Sequence, residues 1–335
     1  MKKFLIIRFS SIGDIVLTTP VIRCLRKAYP QAEIHYLTKA AFVQVLQYNP
    51  HIDHLHLYKD KLSDNLRLLK RERFDYILDL HHNLRSLRVK LALRRPAASF
   101  DKQNWQKLLM VNFKSKRKLP HVVERYGQTL KAVGAQLDDE GLEFPVPLQY
   151  EQQAVQLLEQ HLLAGTSPLA VVLGATYPTK RWLPAYFVEL LNRRGQPVVL
   201  LGGKDAALDA SMVESGLHIP CMNAVGKYPL LTSVALMKQC QAVLAHDTGL
   251  MHIAAALKLP VFSIWGNTVP EFGMSPYKTT HYPLENKQVS CRPCSKIGYK
   301  ACPKGHFECM KGLKPEAVLA QMHTALPYHK PAAEM

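Results

Sequence analysis

Three loops of this chain carry residue types that hold anions or move protons. In His246-Asp247-Thr248-Gly249-Leu250-Met251-His252, an acid, a hydroxyl and a glycine stand between the apolar runs 242–245 and 253–257. The pattern reads as buried strand, tight turn and helix, stopped by Lys258-Leu259-Pro260. Free N–H groups and the dipole at such a helix start favour a phosphate, and the turn falls where open α/β sheets bind ligands. Asp247 or Thr248 fits equally well as a plain helix cap. The second loop, Gly174-Ala175-Thr176-Tyr177-Pro178-Thr179-Lys180-Arg181-Trp182, combines small residues, hydroxyls and two cations, as a diphosphate requires. Gly174 and Ala175 permit close backbone approach, and Lys180 is a point charge for a phosphate oxygen. An ordinary basic surface loop has the same composition. In the third, Arg8-Phe9-Ser10-Ser11-Ile12-Gly13-Asp14, Gly13 turns the backbone and puts Asp14 at a sheet edge, where its carboxylate can accept a proton from a hydroxyl. Asp14 as a helix cap is the alternative, although Thr19-Pro20 offers a competing helix start. Neither a G-x-G-x-x-G fingerprint nor a P-loop is present there.

Strands and helices must alternate to position these loops. Residues 4–7, 34–37, 54–57 and 76–80 read as strands separated by helical stretches near 18–28, 40–48 and 63–72. A polar, proline-bearing passage around 138–147 reads as the linker, followed by a helix from about 151 to 163. Strands at 169–173, 197–201, 221–222, 242–245 and 261–265 then alternate with helices near 184–194, 205–215, 230–239 and 249–257. The expected class is α/β, with two Rossmann-like parallel-sheet domains facing across a cleft. The loops at 174–181 and 247–250 fall on neighbouring strand ends of one domain, and Gly202-Gly203-Lys204-Asp205 lies on the same edge.

Length and composition agree with this plan. A chain of 335 residues divides into about two domains. No apolar run reaches membrane-spanning length, and the stretch 4–7 is cut by Arg8 too soon for a signal peptide, so a cytoplasmic protein is expected. Seven cysteines without an export signal argue for reduced thiols. Charge is uneven: residues 1–131 carry 26 Lys and Arg against 10 Asp and Glu, whereas residues 132–284 carry 9 against 12. An anionic partner is expected on the first half, whether nucleic acid, an acidic membrane surface or a phosphorylated substrate. Lys114-Ser115-Lys116-Arg117-Lys118 follows Trp105, Leu108, Leu109, Met110 and Phe113, a pairing suited to a membrane surface. A nucleic-acid-binding protein is the rival reading. No recognition module or aromatic RNP pattern supports it, and it leaves the diphosphate loops without a purpose.

In order along the chain, Arg8, Ser10, Ser11, Gly13 and Asp14 with Thr19-Pro20, Leu78-Asp79-Leu80 through Arg85-Ser86, Gly174-Ala175-Thr176 with Lys180 and Trp182-Leu183-Pro184, Asn223-Ala224-Val225-Gly226-Lys227, and Asp247-Thr248-Gly249-Leu250 with His252 resemble glycosyltransferase family 9, the lipopolysaccharide heptosyltransferases. The resemblance implies a GT-B architecture. Residues 1–150 would form an acceptor-binding domain, 151–314 a nucleotide-sugar-binding domain, and 315–335 a C-terminal helix packing back toward the first domain. It implies inverting transfer of a heptose or related sugar from an ADP-sugar to an anionic phosphorylated glycolipid at the inner face of the cytoplasmic membrane, with no cofactor and no nucleic acid partner. Asp14 would be the general base. Gly174, Ala175, Thr176, Lys180, Asn223, Gly226, Asp247, Thr248, Gly249 and Leu250 would hold the donor, Lys180 acting also in catalysis. Ser10, Ser11, Gly13, His82, Asn83 and Arg85 would line the acceptor side, with His81 beside them. The physics is consistent, because preorganised N–H groups and a lysine can stabilise a leaving diphosphate in place of a metal ion. Near the end, Cys291, Cys294, Cys302 and Cys309 have spacings compatible with a structural zinc, with free thiols and an oxidised pair as alternatives.

Overall fold

A computed structural model describes residues 1–58, 62–115 and 117–328, the side chains of 62–64 excepted. Its chain forms two compact units, residues 1–104 with 120–145, and residues 105–119 with 146 onward. In the described residues of the first unit, strands β1 (Lys3–Ile7), β2 (Glu33–Lys39), β3 (His54–Tyr58), β4 (Tyr76–Asp79) and β5 (Ala97–Ser99) lie in the order β3-β2-β1-β4-β5, every pair parallel. Leu5 and Ile7 of β1, Leu37 of β2 and Ile77 of β4 pack with Phe9, Phe74 and Val89 into one core. β1 lies between β2 and β4, so the Arg8 loop and the loop after β4 leave the sheet side by side.

The second unit repeats the scheme. Strands β6 (Leu169–Val172), β7 (Val198–Leu201), β8 (Cys221–Asn223), β9 (Ala242–His246), β10 (Val261–Trp265) and β11 (His281–Glu285) lie in the order β11-β10-β9-β6-β7-β8, all parallel. β6, β7, β9 and β10 are buried along their whole length, which is why they read as continuous apolar runs rather than alternating ones. After β8 the chain returns to place β9 against β6. That pair is the topological switch point, where ligands bind in such sheets.

One expectation needs correction. Residues 40–48 form only a short 3-10 segment, Ala40–Val45. The segment 105–119 belongs to the second unit, where Met110 and Leu119 pack with Val269 and Phe272 and Leu119 N–H donates to Glu271 O (2.9 Å). The helix Pro315–Ala325 also belongs there, because Val318 and Met322 are buried in the second unit's core with Phe187 and Leu191; Lys116 and residues 329–335 lie outside the described residues.

Candidate active site

The second unit gathers a cation, a carboxylate and a bare helix start at the ends of β6 and β9. Gly174 leaves β6 with φ +77°, and a Cβ there would stand 2.6 Å from that of Ala206, so the turn requires glycine. His246, the last residue of β9, fastens this turn: its Nε2 accepts from Trp182 N–H (2.9 Å) and its Nδ1–H donates to Gly174 O (3.1 Å). Burial pushes the His246 imidazole down to about 4, so it is the neutral ring that makes both bonds. Arg181 donates to Ala175 O twice (3.0 and 2.9 Å) and pairs with Asp205 (3.0 Å) and Asp209 (3.3 Å). Thus the loop is cross-linked by hydrogen bonds and ion pairs of its own. Lys180 Nζ lies 2.5 Å from Asp247 Oδ2, which also accepts from Thr268 Oγ1 (2.9 Å).

The side-chain cap expected at this helix start is not formed. Thr248 is the N-cap residue of Gly249–Ala256 but makes no side-chain cap hydrogen bond, and its buried Oγ1 has no partner among the described residues. Native proteins leave few such groups unpaired. Thr248 Oγ1 and the first N–H groups of the helix therefore remain as donors beside the Lys180 ammonium. Thr176 is exposed, whereas Thr179 is committed, its Oγ1 donating to Tyr299 O (3.0 Å). Asn223 ends β8, with Nδ2 donating to Glu214 (2.7 Å) and Oδ1 accepting from Val225 N–H (3.1 Å); Gly226 follows at φ +67° against Lys204. These two lie two strands from β6, on the same edge.

Two contributors come from long-range contacts that local sequence does not reveal. Thr268 and the fully buried Asn267, whose side-chain amide has no partner among the described residues, follow β10. Arg292 clamps their loop, donating to Gly266 O, to Thr268 O (3.0 Å) and to Glu285 (2.9 Å). The cysteine segment is thus a brace for the β10 loop. Cys291 and Cys294 have sulfurs 3.7 Å apart, with His306 Nε2 3.8 Å from Cys291 Sγ. Zinc needs four ligands in one shell. Among the described residues, no three of these sulfur and nitrogen atoms lie within 4.8 Å of one another, so the four thiols are not gathered into the expected zinc set.

In the first unit, Arg8 is buried and organises the loop after β1. It donates to Ser10 O (2.7 Å) and Leu80 O (2.7 Å), and its Nη2 lies 2.9 Å from Asp14 Oδ2. Asp14 opens the helix Ile12–Val16 as the acid of a capping box, accepting from Ser11 Oγ (2.8 Å) and Ser11 N–H (3.3 Å). Asp14 is therefore a capping carboxylate, ion-paired to Arg8 at the strand edge. Asp79, fully buried at the end of β4, accepts from His81 N–H (3.1 Å) and His82 N–H (2.7 Å) and pairs with Lys90 (2.9 Å). It holds His81 against Phe9, where burial together with Arg8 and Lys102 pushes the imidazole down to about 4. Lys102, another residue local sequence did not single out, is itself lowered by burial and by Arg8. Arg8 and Lys102 thus stand on this edge beside the carboxylates of Asp14 and Asp79.

The other acceptor-side candidates divide. His82 Nδ1–H donates to Phe100 O (2.8 Å), and Asn83 caps the helix Leu84–Leu93 by accepting from Ser86 N–H (3.0 Å). Arg85 is exposed on that helix.

Two parallel α/β units, each with polar groups collected at its switch point, define a GT-B glycosyltransferase fold. The chain belongs to glycosyltransferase family 9 (heptosyltransferase), whose family model matches residues 65–304, and it is a glycosyltransferase. It is 26% identical to lipopolysaccharide heptosyltransferase 1 of Pseudomonas aeruginosa, over 97% of this chain and 98% of the relative. In structure it resembles a family 9 glycosyl transferase from Veillonella parvula (TM-score 0.79, 24% identity, 97% of both chains) and E. coli ADP-heptose LPS heptosyltransferase II (TM-score 0.74, 23% identity, 97% of this chain and 98% of the other).

Proposed function

We propose that this protein transfers a heptose from an ADP-activated donor to an anionic, phosphorylated lipopolysaccharide-core acceptor, with inversion and without a metal ion. The observation that carries the reading is the Lys180–Asp247 pair beside the bare helix start at Thr248-Gly249. Lys180, Thr248 Oγ1 and the first N–H groups of that helix take the charge that develops on the departing diphosphate, the role a divalent cation fills elsewhere. Gly174, Ala175 and Thr176 admit the phosphates close to the backbone, Leu250 continues the helix start, and Asn223 and Gly226 border the nucleoside. Asp14 accepts the proton of the acceptor hydroxyl while the hydroxyl oxygen bonds to the anomeric carbon and the bond to diphosphate breaks. One base and one in-line displacement give inversion. Arg8 and Lys102, beside Ser10, Ser11 and Gly13, favour an anionic acceptor.

The acceptor's lipid explains a second feature. The helix Leu84–Leu93 presents Leu84, Leu87 and Leu91 to solvent at i, i+3 and i+7 among Arg85, Arg88, Arg94 and Arg95. The helix Asn104–Phe113 exposes Trp105, Leu108 and Phe113 ahead of Lys114, Arg117 and Lys118. Apolar stripes flanked by cations suit an anionic membrane surface, here the inner face of the cytoplasmic membrane. No helix among the described residues is long and apolar enough to cross a membrane. Thermal shift with ADP, UDP, GDP and CDP, followed by product analysis with ADP-heptose and a lipid A–Kdo acceptor, tests the reading. Stabilisation by ADP and a heptosylated product are expected; no response to any nucleotide would remove the donor site. Asp14→Asn is expected to abolish transfer with ADP affinity near wild type, and an active variant would take Asp14 out of the mechanism.

A further inference from the structure

A second cluster of ligating side chains lies on the β2–β3 edge of the first unit. Strand alternation puts Glu33 and His35 of β2 on one face and His54 and His56 of β3 on one face, and the parallel register sets His35 against His54. The rings of His35 and His54 lie 4.4 Å apart. His35 Nε2 is 3.3 Å, and His54 Nε2 3.9 Å, from Glu33 Oε2, and the three ligand atoms lie within 4.8 Å of one another. Ligands at about 2.1 Å from a transition metal stand roughly 3.0–3.4 Å apart in tetrahedral or octahedral geometry, so only small side-chain adjustments separate this cluster from a coordination shell. From these distances we infer that Glu33, His35 and His54 form a binding site for a borderline divalent transition metal such as Zn²⁺, Co²⁺ or Ni²⁺, which clips edge strand β3 to β2.

The surroundings are those of a metal ligand set. His56 Nε2 lies 2.8 Å from His35 Nδ1. In one tautomer His56 donates to His35, and His35 Nε2–H to Glu33. In the other, His35 Nδ1–H donates to His56 and leaves the Nε2 lone pair aimed beside the Glu33 carboxylate, where a cation belongs. A partner on the second nitrogen is what fixes a ligating imidazole. Phe74 packs edge-on to His35 and holds the ring in place. Two imidazoles and one carboxylate favour these metals over Mg²⁺ or Ca²⁺, which prefer all-oxygen shells. His54 is half exposed, so an ion has a path in.

One group competes with the metal. Lys3 Nζ sits 2.8 Å from Glu33 Oε2 and 3.4 Å from Glu72 Oε2. An incoming ion displaces it from Glu33 and leaves it to Glu72. Removing Lys3 must therefore tighten metal binding, a result no purely structural role of the cluster predicts. The test is a Co²⁺ titration of the chelator-treated full chain, read by absorbance and by thermal shift. One ion is expected with visible bands and no thiolate-to-cobalt band in the near ultraviolet, together with a rise in melting temperature. His54→Ala should weaken it roughly tenfold or more and His56→Leu roughly 10–100-fold, whereas Lys3→Gln should strengthen it. Unaltered binding in His54→Ala, weaker binding in Lys3→Gln, or a spectrum of thiolate ligation alone from Cys291 and Cys294, would overturn the site.

Discussion

Thr248 separates the functional from the structural reading of the helix start. Its hydroxyl is buried and unpaired among the described residues and makes no cap hydrogen bond. Replacing it with valine, nearly the same shape, removes a polar atom that no protein group uses, so folding stability should hold or rise. A hydrogen bond to a charged diphosphate contributes about 1.5–3 kcal/mol, so ADP affinity should fall at least tenfold. Calorimetric binding of ADP beside a urea melt checks both halves; a variant that loses stability and keeps its ADP affinity would return Thr248 to a structural role. Lys180 behaves differently, because its removal leaves the Asp247 carboxylate with Thr268 and without its cation. Lys180→Ala should lower kcat by roughly 10²–10³ if the ammonium meets charge that develops only in the transition state. A fall confined to KM would make it a ground-state contact.

At the scale of elements, the leucine stripe of Leu84–Leu93 is exposed among the described residues. Leu84 is 75% and Leu91 66% exposed. Burying a leucine in an apolar phase is worth about 1.5–3 kcal/mol, so the pair Leu84→Ser and Leu91→Ser should weaken sedimentation with phosphatidylglycerol vesicles at least tenfold. Unchanged vesicle binding would assign the stripe elsewhere. The same stripe explains why this helix is not legible from hydrophobic periodicity, since its apolar positions do not all mark a buried face. The strands of the second unit are the opposite case. Their buried runs are continuous, and the β6 and β9 turns were readable as neighbours because the strand–helix alternation leads back to the switch point. β5 is three residues long and follows Arg95-Pro96, too little pattern to register. Thr268, Arg292 and Lys102 escaped for another reason: each acts through contacts far along the chain, which local propensity does not contain. Asp14 reads locally as base or cap, and the structure bears out the cap through its capping box with Ser11.

For the whole molecule, the buried histidines make folding sensitive to mild acid. Burial lowers His35, His56, His81, His246 and His281 below their ordinary value of 6.5, with His56, His81 and His246 reaching about 4. Between pH 4 and 6.5 the unfolded chain binds protons that these folded rings refuse, so stability rises with pH across that window and is fully present above it. His246 is fully buried, and at pH 5 its part alone is about 2 kcal/mol; the more exposed rings add less each. Carboxylates act lower on the scale. Hydrogen bonds from Arg23 and Lys27 hold Asp138 below its ordinary 3.8, so its contribution is present above that value and lost as pH falls through the folded one. Two separate losses should result, a histidine loss between about pH 6.5 and 4 and a carboxylate loss beneath it. Urea melts at pH 7, 6, 5 and 3.5 measure them. The midpoint should fall already between pH 7 and 5, and NMR should find the His246 ring unprotonated at pH 5; a flat midpoint across that interval, or a ring titrating near 6.5, would mean that the loop joining Gly174 to Trp182 does not depend on a neutral imidazole.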